Sequence, residues 1–244
     1  MGITAVQTNT IQLGDVTVEV VHKDIKNLHL SVYPPNGAVR ISAPLRMDLE
    51  RIRVFVISKL TWIKQQQAKL RSQLRETPRE YLDRESHYLW GKRYLLNVIE
   101  RDAVPQVKLK HKQMLLQVRP GSDRNKKNSV LESSYRQQLK AAIPPLIAKW
   151  EKHLGVTIES FAIRKMKTQW GSCSPETKSI RLNLELAKKP LECLEYVIVH
   201  EMMHLLEPTH NSRFVDLMSQ FMPSWKFYQE KLNHLPVGHE NWSR

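Results

Sequence analysis

Leu194-Glu195-Tyr196-Val197-Ile198-Val199-His200-Glu201-Met202-Met203-His204, followed six residues on by His210, is the stretch whose reading decides the fold. Its apolar run reads as a helix that carries into the two histidines. Residues four apart project from one helix face, so His200 and His204 offer two imidazole nitrogens to one ion. Glu201 stands about 100° around the helix from His200, placed to hold a water rather than to ligate. One zinc ion with three protein ligands, an open fourth position and a carboxylate base is the set that hydrolytic zinc chemistry requires. Any one of these histidines alone reads as an ordinary core or surface residue. The spacing carries the metal reading.

The third ligand has to come from beyond the helix. On a straight helix His210 would stand about 120° from His204, so the chain must turn between them. Glu207-Pro208-Thr209 supplies the turn, because proline cannot continue the hydrogen-bond ladder and biases the residue before it away from helix. Glu207 is a rival ligand, but its spacing suits a carboxylate that orients a ligand histidine. Glu230 is the distant carboxylate that a gluzincin arrangement would use. The six-residue gap to His210 also occurs in the metzincin motif, where Glu207 replaces a glycine. Met218 and Met222 read as core residues of a following helix, not as a Met-turn. His210 ranks first. Cys173 can approach the metal as a fourth ligand, although a thiolate there would close the water position; Cys193 reads as a small buried hydrophobe.

Upstream, Pro190 fits the first turn of the helix. Ile180-Arg181-Leu182-Asn183-Leu184-Glu185-Leu186 alternates like a half-buried strand and is the expected edge strand for an extended peptide, with Asn183 as a candidate substrate contact. Trp170-Gly171-Ser172-Cys173-Ser174-Pro175 reads as a turn-rich loop between that strand and one at Phe161–Met166.

These segments resemble the YgjP-like family of bacterial zinc metallopeptidases, within the wider SprT-like minimal-zincin group. The likeness rests on Lys165-Met166-Lys167, the Trp170–Ser174 loop, the Arg181–Leu186 strand, Tyr196–His204, Glu207-Pro208, His210 and Arg213-Phe214. It extends more loosely through Leu28–Val32, Val39–Pro44, Trp62-Ile63 and Leu89–Tyr94, over most of residues 16–235. Gln169 stands where an arginine is expected, and Val215 where a tryptophan is usual. The resemblance implies a zinc-dependent peptidase with His200, His204 and His210 as ligands, Glu201 as base, and peptides or proteins as substrates.

Composition bounds the remaining classes. The 244 residues are 41% hydrophobic and 25% charged, ordinary for a globular chain. The start, Met1-Gly2-Ile3-Thr4-Ala5-Val6, has neither the basic nor the apolar region of a signal peptide. No run is long enough for a membrane span. Two cysteines outside any CxxC spacing read as reduced thiols, so the cytoplasm is the expected compartment.

The net charge of +14 is uneven: residues 1–128 carry 23 Lys and Arg against 12 Asp and Glu, and residues 129–244 carry 15 against 12. Arg51, Arg53, Lys59, Lys64, Lys69 and Arg71 concentrate part of it on one predicted helix. Such a distribution can attract nucleic acid, which keeps a nucleic-acid-associated protease or binding module as an alternative; a solvated face is the simpler reading. A non-catalytic metal-binding regulatory protein is the other alternative, and intact Glu201 argues against it. The oligomeric state has no signature.

The expected fold class is α+β, a zincin-like catalytic half at 129–244 preceded by a β-rich basic half at 1–128 with one long helix at about 48–74. Val16–Val21, Leu28–Tyr33, Ala38–Ser42, Tyr94–Ile99, Val107–Lys110 and Met114–Val118 alternate like strands, with a hairpin turn at Pro34–Gly37. Asp48 caps the long helix, on which Ile52, Val56, Leu60 and Ile63 recur at helical spacing. Pro120–Asn128 is the expected boundary. Ser129 and Glu132 form a capping-box pattern for a helix interrupted at Pro144-Pro145 and ending near Gly155. Ser212–Met222 reads as a further helix, stopped by Pro223. No internal repeat is apparent.

Overall fold

A computed structural model describes residues 8–33, 37–72, 79–166 and 169–234. The chain forms two compact units that divide between Leu74 and Arg75. In the first, strands β1 (Thr8–Leu13), β2 (Val16–Lys23), β3 (His29–Tyr33) and β4 (Ala38–Pro44) form a sheet in the order β1-β2-β4-β3. Val16, Val18 and Val20 point inward at alternate positions, as the two-residue period of a strand demands. Helix α1 (Leu49–Ser72) contributes Ile52, Val56 and Ile63 to this core. Asp48 starts it by accepting the Arg51 N–H at 2.7 Å. Strands β3 and β4 pair as the expected hairpin; positions 34–36 of its turn lie outside the described residues.

The second unit opens with β5 (Ser86–Leu89), β6 (Lys92–Glu100), β7 (Gln106–Lys110) and β8 (Gln113–Val118), in the order β5-β6-β8-β7. Helix α2 (Arg124–Leu154) packs on it, sharing a core in which Leu96, Met114 and Leu116 meet Leu131, Leu139 and Ile143. These strands therefore group with α2 and the elements that follow it, and the division falls well before the boundary expected at 128. Asp123, not Ser129, caps α2, accepting the Lys126 N–H at 2.8 Å. Of the polar stretch expected to be the boundary, Arg124–Asn128 is the start of that helix. Pro144 and Pro145 lie within it without ending it, while Leu139, Ile143, Ile147 and Trp150 stay buried along one face. Gly155 closes it in the left-handed conformation, φ 67°.

The two four-stranded sheets repeat one topology. In each, the first two strands are an antiparallel hairpin with a two-residue turn, at Gly14-Asp15 and at Trp90-Gly91. The second and fourth strands run parallel, and the third returns antiparallel to the fourth. Each sheet then leads into a long helix capped by an aspartate. The repeat that the sequence does not reveal is thus present in the fold.

Beyond α2 a small sheet runs β10 (Gly171–Ser174), β11 (Ser179–Asn183), β9 (Ser160–Arg164). Here the structure corrects the sequence reading. β11 is the central strand, parallel to β9 and antiparallel to β10, so both its edges are already paired. The sheet's edges are β9 and β10, and the one that packs beside α3 is β10, the segment read as a loop. A 3-10 helix (Leu184–Lys188) follows β11 and leads to α3 (Leu191–Met203), α4 (Ser212–Phe221) and α5 (Trp225–His234). The mixed architecture is the expected α+β class. Among the described residues no helix is long and apolar enough to cross a membrane.

Candidate metal centre and its cleft

Helix α3 is set by its own hydrophobicity: Cys193, Leu194, Tyr196, Val197, Ile198, Val199, Met202 and Met203 are all buried. So apolar a helix fixes its rotation firmly, and His200 and His204 emerge half-buried on one side. The last turn then tightens. The Leu205 N–H bonds to the Met202 carbonyl at 3.0 Å and the Leu206 N–H to the Met203 carbonyl at 2.9 Å, the three-residue spacing of a 3-10 ending. Pro208 leaves the helix, and Asn211 restarts one by accepting the Phe214 N–H at 3.0 Å. This turn brings His210 back beside the other two.

The three rings gather closely. Their centroids are 5.1 Å (His200–His204), 4.9 Å (His200–His210) and 4.6 Å (His204–His210) apart. Phe214 backs all three and stacks on His204 at 4.9 Å. One nitrogen from each ring lies within 4.8 Å of the others, and the Nε2 atoms of His200 and His210 approach to 2.9 Å. Two ring nitrogens that close need a proton or a cation between them, since two lone pairs repel. Burial, and after it the charges of His204 and His210, lowers the His200 pKa to about 4; burial also lowers His204. Neutral imidazoles with inward lone pairs are the donor set that suits zinc. The residues fit the ion.

Glu207 and Glu230 do not join this cluster. The Glu207 carboxylate accepts from the Thr209 hydroxyl at 3.0 Å, holding the turn together. What reaches His204 is the Glu207 backbone carbonyl, 3.2 Å from Nδ1. A carbonyl only accepts, so Nδ1 carries the proton and Nε2 keeps its lone pair. The expected orienting role thus falls to the main chain of Glu207 rather than to its side chain. Glu230 is exposed on α5.

Glu201 is 6% exposed, and burial pushes its carboxyl up to about 8. Opposite it runs β10. A Cβ added at Gly171 would stand 2.5 Å from Glu201 Oε1 and 2.7 Å from its Cγ. Only glycine lets the edge strand approach the carboxylate this closely. That contact is not readable from the sequence, where Gly171 passes for a turn residue.

Asn183 is not at the cleft surface. It is buried, donates to the carbonyls of Met166 at 2.8 Å and Gln169 at 2.9 Å, and accepts the Glu185 N–H at 3.2 Å. It anchors the segment leading into Trp170 and is not among the residues that line the cleft. Cys173 does line the cleft. Burial, with the Glu201 charge second, pushes its thiol to about 11, and its sulfur is not among the converging donors. The cleft holds about 500 Å³ and runs from His210 and Pro208 past Glu201 to Tyr196 and Leu232.

The family model of the YgjP-like metallopeptidase domain matches residues 26–235. Comparison with the curated proteins finds no match.

Proposed function

The chain belongs to the YgjP-like metallopeptidase family, and from that premise we propose that it hydrolyses peptide bonds with one zinc ion held by His200, His204 and His210 and with Glu201 as general base. The observation that carries this reading is the convergence of three imidazole nitrogens in a cleft walled by a buried carboxylate. A zinc ion there would supply Lewis acidity, bringing the pKa of water to about 7 and polarising the substrate carbonyl.

The remaining work falls to the chain. A cation held by the histidines would draw the Glu201 pKa down from its metal-free value of about 8, and the carboxylate, not engaged by the histidines, takes the proton of the attacking water and returns it to the leaving amine. Its low exposure keeps bulk water from competing for that proton. The His204 Nδ1 proton is fixed by the Glu207 carbonyl, so the ring cannot turn its lone pair away. An extended substrate adds to the outer edge of β10, where no further strand is paired among the described residues. With Gly171 at that edge, the scissile bond can lie against Glu201 without a side chain intervening.

The test is Glu201→Gln in the zinc-loaded protein, assayed on a peptide library alongside metal analysis. Metal content should stay at wild-type level, because the carboxylate is not a ligand. Hydrolysis should fall by about 10²- to 10⁴-fold, the usual contribution of a positioned base. An unchanged rate would remove the general-base role, and a wild-type protein that takes up no zinc would remove the reading altogether.

A further inference from the structure

Resting on the peptidase reading above, we propose that the end of the cleft beyond Glu201 is a specificity pocket for one apolar side chain of the substrate, of the leucine, methionine or phenylalanine class. One wall is Trp170, Cys173 and Pro175, from β10 and the residues that flank it; the other is Tyr196 and Val197 of α3, with Leu232 of α5. Val197 lies one helical turn before Glu201, about 5.4 Å along the axis, within reach of a single side chain of a peptide held there. On the strand side, Cys173 follows Gly171 by two residues, about 6.6 Å. The pocket therefore opens beside the reacting bond, not at a remote point of the cleft.

Its chemistry selects against charge. Among the described residues the cleft lining contains no Lys, Arg or Asp and one carboxylate, Glu201, while the buried Lys189 ammonium packs on the Trp170 ring, 5.8 Å from its centroid. Tyr196, Val197 and Leu232 are 5%, 3% and 2% exposed, so the floor is closed and close-packed. Two of the polar groups at this end are satisfied or neutral. The Tyr196 hydroxyl is hydrogen-bonded to Gln229 and, through burial first, is pushed to about 12, while Cys173 is held as a thiol. A substrate carboxylate placed here would lose its hydration beside the Glu201 carboxylate, and an ammonium would lose its own and find only Glu201, the group that the proposed reaction itself uses. An apolar side chain would leave water for a surface that asks nothing polar of it. A volume of about 500 Å³ for the whole cleft accommodates a peptide backbone together with one such side chain.

The experiment uses the full zinc-loaded chain and quenched peptides varied at the two residues flanking the scissile bond, with Leu, Phe, Ala, Ser, Asp or Lys at each in turn. At one flank, kcat/KM for Leu or Phe should exceed that for Ser, Asp and Lys by roughly 10- to 200-fold. Val197→Ala, which deepens the floor, should raise Phe relative to Leu. Cys173→Leu, which fills the wall, should lower Phe relative to Ala. Equal rates across the series, a preference for Lys or Asp, or unchanged ratios in both variants would overturn the pocket.

Binding of small hydroxamates bearing an isobutyl or an aminobutyl side chain separates this failure from that of the peptidase reading. Preference for isobutyl by about tenfold or more, with no peptide cleaved, would keep the pocket and remove the activity. Equal binding, with peptides cleaved, would do the reverse.

Discussion

Glu201 and His200 sit side by side on α3, and burial drives their protonation in opposite senses. The Glu201 carboxyl is raised from 4.5 to about 8. Folding therefore favours its protonated form, and its contribution to stability is full below pH 4.5 and is lost as pH rises toward 8. His200 is lowered from 6.5 to about 4, so its contribution is full above pH 6.5 and is lost as pH falls toward 4. Between pH 4.5 and 6.5 the two slopes oppose each other; from 6.5 to 8 only Glu201 acts. At 1.36 kcal/mol per pH unit, metal-stripped protein should lose at most about 2 kcal/mol across that upper window. Urea denaturation at pH 6.5 and 8 measures it, and Glu201→Gln should abolish the slope. A slope that survives the substitution assigns it to another group. The ligand set is tested by single changes: His200→Ala, His204→Ala and His210→Ala should each lower zinc stoichiometry. Glu207→Ala should leave it near one, since the main-chain carbonyl that meets His204 is retained. Zinc lost in Glu207→Ala but kept in His210→Ala would reverse the assignment.

At the scale of elements, periodicity made the helices and most strands readable. α1 announces itself through buried residues at helical spacing, α3 through an almost unbroken apolar run, and β2 and β4 through alternation over most of their length. β10 carries no such signal. Gly171-Ser172-Cys173-Ser174 has no large side chain to alternate, and its strand character exists only in the pairing with β11. The same gap explains the misplaced edge: Ile180 and Leu182 look half-buried by pattern, yet β11 has neighbours on both sides. At α2 a capping-box pattern competed with a stronger start. Ser129 is inside the helix, where its carbonyl accepts the Ser133 hydroxyl, and Glu132 is bound to Asn128 and Lys165 instead of to a helix terminus. The contact between β10 and α3 can be tested by Gly171→Ala. The new Cβ would force Glu201 aside, so hydrolysis should fall on the order of 100-fold, as a catalytic group displaced by about 1 Å does. Zinc content and far-UV circular dichroism should not change. A rate within twofold of wild type would mean that Glu201 works from a position the glycine does not control.

The whole molecule has two cores rather than one. The first gathers Val16, Val18, Ile41, Ile52 and Ile63, and the second gathers Leu96, Leu116, Leu139, Ile180 and Ile198 with the active helix. The repeated sheet topology escapes a reading of the sequence because a sheet of this kind constrains pattern, turn and cap, not residue identity; Asp48 answers to Asp123, but the turn glycine comes first in one hairpin (Gly14) and second in the other (Gly91). The division also redistributes the charge. Residues 1–74 hold 10 Lys and Arg against 5 Asp and Glu, and residues 75–244 hold 28 against 19. The basic excess is therefore not confined to the first unit, which weakens the case for a dedicated nucleic-acid module there. Two cores predict two unfolding transitions in calorimetry, with a van't Hoff enthalpy below the calorimetric one. The histidine cluster lies entirely in the second unit, so zinc binds one transition's native state and not the other's. At a hundredfold excess over Kd, binding stabilises by about 2.7 kcal/mol, which for a unit of this size raises its Tm by roughly 5–10 °C. The other transition should stay where it is. Removing the ligand with His204→Ala should return the shifted transition to its metal-free position without touching its neighbour. A single transition that zinc moves as a whole would show that the two units unfold as one cooperative body.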